Sequence, residues 1–252
     1  MQFLKHFFYG IISYFKAIAF IARHQLWFYF VIPLACSLLL FYWGYLLMSD
    51  VHGYQLGNPN TIRELMWEMI KMILLYTLAV VSIELRKYIV LTVLSPLLGR
   101  ISLQTEELLT GNQYKFSFAQ YWNDTKRAIR IIFGNLVIQY AISLVWIIIS
   151  LIFSDLQQFT SGVLIAIGFY FYGFGMMDYV NERRRLNIDE SVDFVRKHAG
   201  FAIGIGSVFS LLFLIPYEIG VTFAPVLAIV AATIGMHDLV DLRKNKFAVK
   251  EA

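Results

Sequence analysis

The chain predicts an all-α, polytopic integral membrane protein, and three observations carry that reading. Five stretches, 26–49, 131–154, 156–177, 199–217 and 219–236, hold no Asp, Glu, Lys or Arg. Their lengths match the roughly 20 apolar residues a helix needs to cross a hydrocarbon core of about 30 Å. The 252 residues are 59% hydrophobic with a mean hydropathy of +0.64, where soluble domains hold about 45–50% apolar residues. A water-soluble core of this size cannot hide so many apolar stretches, so lipid is the natural solvent.

The third observation is where the cations fall. Lys5, Lys16 and Arg23 precede the first stretch, and Arg86, Lys87, Arg100, Lys115, Lys126, Arg127 and Arg130 crowd residues 84–130. Five more lie in 178–198 and four in the tail. Of the alternate connections, 49–68 carries only Arg63, and the turns near Asp155 and Glu218 carry none. The positive-inside rule then puts both termini in the cytoplasm, with an even number of crossings. No cleavable signal is expected, because Lys5 and Lys16 interleave with apolar residues instead of heading an uninterrupted core.

The elements form a single membrane domain, 1–252. Residues 1–22 place Leu4, Phe8, Ile11, Ile12, Phe15 and Ile18 on one helical face and Lys5, Ser13 and Lys16 on another. That pattern predicts an amphipathic interfacial helix in the cytoplasmic headgroup layer. The first span is 25–48, aromatic at both ends, with Pro33 expected to bend it. Gly53, Gly57 and Asn58-Pro59-Asn60 mark a turn-rich outer loop. Residues 62–98 read as one long helix of about 55 Å that overshoots the bilayer. Glu68 and Lys71 lie three residues apart within it, placed to pair or to let the lysine snorkel.

Residues 100–130 are amphipathic and cytoplasmic, with Thr110-Gly111-Asn112 as a helix stop and Ser117 as the cap of the next helix. The short connection at 155–160 folds 131–177 into an antiparallel hairpin. Asn187 followed by Glu190 reads as a capping box opening a surface helix through Lys197. A second hairpin, 199–240, turns at Pro216-Tyr217-Glu218. It concentrates Gly200, Gly204, Gly206, Gly220 and Gly235 with Pro216 and Pro225, which serve either close helix packing or the lining of a substrate site. Spacing alone leaves open whether either hairpin crosses fully or dips in and returns.

Residues 94–111, Leu-Ser-Pro-Leu-Leu-Gly-Arg-Ile-Ser-Leu-Gln-Thr-Glu-Glu-Leu-Leu-Thr-Gly, resemble a signature of the CysZ sulfate transporters and etoposide-induced membrane proteins. Arg127 to Arg130, Asp178-Tyr179 to Arg183-Arg184-Arg185, Ile215-Pro216, Pro225 and Ala231-Ala232-Thr233 extend the resemblance over roughly 20–240. It implies two long transmembrane helices, two hairpins inserted only partway, homo-oligomeric assembly and sulfate entry across a bacterial inner membrane. A Gly-Leu-Arg-type sulfate motif of that family falls on Gln25-Leu26-Trp27-Phe28. Only Leu26 agrees, although Arg23 and His24 stand immediately upstream.

An anion can bind where helix amides point outward near residues 24–27, with Arg23, His24, Gln25 and Leu26 as its shell. The alternative is an interfacial anchor. Glu84, Arg86 and Glu218 are candidates for a pathway, or are merely solvated at the helix overshoot and the hairpin tip. Arg183, Arg184 and Arg185 read as a topology determinant facing anionic lipid. The single cysteine, Cys36, forms no intramolecular disulfide, and the histidines at 6, 24, 52, 198 and 237 lack ligand spacing, so no metal or cofactor is expected. Hydrolase, metalloprotease and phosphate-loop motifs are absent, so the chain is not expected to be an enzyme. The basic residues track topology instead of one face, which argues against nucleic acid as a partner. Two functions remain: a transporter or channel for a small oxyanion, or a non-transporting membrane scaffold.

Overall fold

A computed structural model describes residues 2–53, 61–114, 118–215 and 219–244. Among them the chain folds into α1 (Gln2–Arg23), α2 (Val31–Gly53), α3 (Ile62–Thr110), α4 (Phe118–Ile152), α5 (Thr160–Arg183), α6 (Ile188–Lys197), α7 (Ala199–Phe213) and α8 (Ile219–Val240), with short 3-10 segments between some of them and no strand. Among the described residues, five stretches are long and apolar enough to cross a membrane: Gln2–Arg23, Leu26–Leu46, Thr125–Ile152, Ser154–Arg183 and Ile219–Val240. The all-α membrane class is therefore observed.

Helix α3 runs 49 residues, about 73 Å at 1.5 Å per residue, twelve residues beyond its expected end. Thr61 opens it by accepting a bond from the Glu64 amide at 3.2 Å, and Gly111, at φ 74°, closes it. The Thr110-Gly111 stop is where the sequence placed it. Glu68 and Lys71 pair at 3.0 Å on the outside of α3. Beyond that stop, α4 runs as one helix from Phe118 through Trp122, Arg127 and Arg130 into the apolar stretch, ending at Ile152 as the sequence implied. Ser117, its expected cap, lies outside the described residues.

Pro33 falls in the first turn of α2 instead of bending its middle. It offers no N–H to the Tyr29 carbonyl, which accounts for the 3-10 geometry of Leu26–Phe30 just before it. The backbone N–H of Asn187 donates to the Glu190 carboxylate and that of Glu190 to Asn187 Oδ1, at 2.8 Å each, so the capping box that starts α6 is real.

The core sits around α8, which is packed by α1, α2, α3, α5 and α7. Helix α7 threads between α1 and α5, and small residues set how closely it does so. Gly200 and Gly204 lie one turn apart against Phe3, Phe7 and Gly10 of α1. A Cβ on Gly10 would meet the Phe201 carbonyl at 2.9 Å. On the other side, Gly206 abuts the Phe169 backbone of α5, and Gly173 abuts Ala202. These glycines serve close helix packing.

Helix α1 turns Leu4, Phe8, Ile12, Phe15 and Ile18 outward and buries Gly10, Ser13, Tyr14, Ala17 and Ile21 against α7 and α8. Ser13, assigned above to the polar face with Lys5 and Lys16, is fully buried instead. Its hydroxyl is satisfied by the Tyr9 carbonyl at 2.9 Å, which makes a small polar side chain acceptable in the packed face.

Candidate functional site

The chemistry-bearing residues collect where the ends of α3 and α5 meet. Glu106 is completely buried, one turn beyond Ser102 on the face of α3 that also buries Leu94, Leu98 and Ile101. Arg183, in the last turn of α5, donates its Nε to Glu106 Oε2 at 2.7 Å, its Nη2 to Ser102 Oγ at 2.9 Å and its Nη1 to the Tyr179 carbonyl at 3.0 Å. Ser102 reaches Thr233 of α8 at 2.7 Å, and the Tyr114 hydroxyl donates to Glu106 Oε1. One network therefore joins α3, α5, α8 and the link after α3. Burial, then the adjoining Glu106 carboxylate, push the Tyr114 phenol above its ordinary value, so it stays a neutral donor.

A second buried pair lies on the opposite side of α5. Asp178 receives Arg127 of α4 through Nε at 3.2 Å and Nη2 at 2.9 Å. Ser191 of α6 donates to the same carboxylate at 2.6 Å, and Asn181 donates to Ser191 at 2.9 Å. The fork of Arg127 matches the carboxylate's two oxygens, an arrangement that gives orientation as well as charge neutralisation. Arg127 also donates to the Leu186 carbonyl, which ties α4 to the segment leading into α6.

These pairs correct one expectation. Arg183 is not a lipid-facing topology determinant: its side chain is 9% exposed and its partner's 0%. Arg184 lies with its guanidinium 4.8 Å from the Phe194 ring centroid, and Arg185 is exposed at φ 55°. The sequence signal that finds Glu106 is the stripe of α3. Continuing Leu91, Leu94 and Leu98 at helical spacing lands on Ser102, Thr105 and Glu106, all buried.

The predicted shell at 23–26 forms one turn. Gln25, at φ 53°, reverses the chain between α1 and the Leu26–Phe30 segment. Leu26 is buried, His24 rests its ring 4.3 Å from that of Phe20, and Arg23 and Gln25 are exposed. Tyr29 donates to Gln104 Oε1, so this turn is fastened to α3 between Ser102 and Glu106. Residues 84 and 86 lie within the unbroken α3 backbone, with side chains outside those described, and Glu218 also lies outside the described residues.

Chemically, Arg127 and Arg183 present guanidinium groups in a bundle where isolated charge is costly. Arg127 is held by Asp178 through two nitrogens, the fork that an oxyanion also accepts, whereas Arg183 gives Glu106 one nitrogen and shares the others with Ser102 and the Tyr179 carbonyl. No group of three or more potential metal ligands occurs among the described residues. No curated protein matches the chain. Residues 13–225 match the family described as sulfate transporter CysZ/etoposide-induced protein 2.4, and the chain belongs to that family.

Proposed function

We propose that this membrane protein is a transporter or channel of the bacterial inner membrane that moves a small oxyanion, sulfate by family. In this reading both termini are cytoplasmic, the chain works as a homo-oligomer in the lipid bilayer, and it performs no enzymatic reaction. Family membership gives the transport class its support. The observation that carries the oxyanion is the pair of half-buried arginines held by buried carboxylates, Arg183 with Glu106 and Arg127 with Asp178, at the ends of apolar helices. Ionisable groups inside such bundles are expensive and are by default pathway residues. Arg23 and His24, on the turn fastened to Gln104, serve as an entry site. Helix α7, with 15 residues, spans about 22 Å, which favours a second hairpin that enters the bilayer partway.

One observation favours the scaffold reading. All three guanidinium nitrogens of Arg183 are engaged by the protein, and aromatic residues stand at 27 and 28 in place of the family's motif arginine. Uptake of labelled sulfate by proteoliposomes separates the two. Transport predicts measurable uptake, reduced about tenfold in the Arg23→Ala, His24→Ala variant, the worth of one charge-assisted hydrogen bond. Absence of uptake for sulfate and other oxyanions leaves the scaffold.

A further inference from the structure

Helix α4 is inside out by the standards of a soluble protein. Phe133, Val137, Ile138, Leu144, Val145 and Leu151 face outward, and beyond Ile131 the residues it buries are Asn135, Gln139, Ser143 and Ser150. At 3.6 residues per turn these four and Trp146 fall within an arc of about 80°, in a seam about 22 Å long. Helix α5 packs along α4 and α3 flanks it. Asn135 uses one amide hydrogen on the Phe171 carbonyl at 3.2 Å. The Trp146 indole N–H is buried and forms no hydrogen bond, and Tyr179 and Ser95 are buried near the inner end. Asn135 and Tyr179 line a cavity there with room for about one water.

The seam contains amide, indole and hydroxyl donors and no carboxylate from Asn135 to Ser150. An anion leaving water loses its hydration shell and needs such donors in return, while an acid would repel it. Interhelical glue alone leaves the Trp146 donor unexplained, since glue consists of bonds that are made. Arg127, two turns before Asn135, stands at the inner end paired with Asp178, so that end carries no uncompensated carboxylate from this pair. Resting on the transport reading above, we infer that the α4–α5 seam is the route on which a small dehydrated oxyanion crosses the bilayer, carried by neutral N–H and O–H donors.

The test is labelled sulfate uptake into proteoliposomes by the Trp146→Phe, Ser143→Ala variant. Trp146→Phe removes a donor that the fold leaves unbonded, so unfolding temperature and elution profile should not change. Uptake should fall at least about fivefold. Ser210→Ala, which removes a buried hydroxyl on α7 outside the seam, should leave uptake intact. Should the double variant elute as aggregate, Trp146→Phe alone is judged by the same standard. Unchanged uptake with active unmodified protein, or an equal loss in Ser210→Ala, overturns the seam while sparing the transport reading. No uptake of sulfate or any other oxyanion by the unmodified protein removes both.

Discussion

Helices α8 and α4 are similarly apolar, yet they meet opposite surroundings. In α8, 83% of the most apolar stretch is buried within the protein, against 17% in α4. The α1–α7–α8 unit is built like a protein interior, with backbones drawn together over glycine. The outer helices, α2, the first half of α3 and α4, present Leu39, Phe41, Trp67, Ile73, Val137 and Leu144 outward. Hydropathy therefore says that a segment avoids water, but not whether lipid or protein replaces it. Small residues decide that: a helix can be enclosed on several sides only if its neighbours come close on each.

The strongest way to break this contrast is to add the same side chain to both regions. Gly206→Leu sets a side chain against the Phe169 backbone, where only movement of α5 or α7 gives room. Overpacking a core typically costs about 1–3 kcal/mol, and a backbone obstacle places this variant at or beyond the top of that range. Gly44→Leu and Gly134→Leu meet nothing within 4 Å and should leave thermal unfolding in detergent within a degree or two of the parent, by the usual small effect of surface changes. Equal losses at inner and outer sites would remove the distinction between them.

The next effect tests the buried charges. Glu106→Leu strands Arg183 without its carboxylate, which costs about 3–5 kcal/mol when a buried pair is broken from one side. Glu106→Leu combined with Arg183→Met should recover most of that loss in a denaturant titration, because two apolar groups need no partners. A double variant as unstable as the single would mean that the remaining contacts of Ser102 and Tyr114, and not the charge pair, hold the junction.

Much of the architecture was legible because helix physics is local. The Thr110-Gly111 stop and the Asn187–Glu190 box need only neighbouring residues to be recognised. The site was less legible because its partners are far apart in sequence: Glu106 meets Arg183 across 77 positions and Arg127 meets Asp178 across 51. A run of three arginines beside an apolar stretch has the composition of a lipid-facing flank whether or not one of them folds inward. The end of α3 was misplaced for a related reason. The apolar run closes at Gly99 and Arg100, but an α-helix needs no apolar environment to continue, only uninterrupted backbone bonds.

A smaller effect probes the outer region directly. Leu39→Lys puts a charge on an exposed apolar face of α2. At the centre of a spanning helix this costs about 2.5–3.5 kcal/mol by insertion measurements. The penalty should appear as reduced membrane insertion of the full chain, with little change in the thermal unfolding of whatever protein is recovered in detergent. A matching loss in detergent would show that α2 faces protein there, and the contrast with α8 would need redrawing.

The smallest effect concerns the polar clasp between α1 and α8. Lys16 Nζ lies 2.9 Å from Asp238 Oδ2, and the Tyr9 hydroxyl donates to the same carboxylate. Both charged side chains are nearly half exposed, at 45% and 47%, so their attraction is screened and the ordering of two side chains offsets part of it. Lys16→Met should therefore cost under about 1 kcal/mol and lose even that in high salt. Gly10, Gly200 and Gly204 hold α1 to α7 without charge, so α1 should stay docked in the variant, as protection of its backbone amides from exchange would show. Release of α1 on loss of this one clasp would mean that electrostatics, and not the close approach over glycine, fastens the first helix to the core.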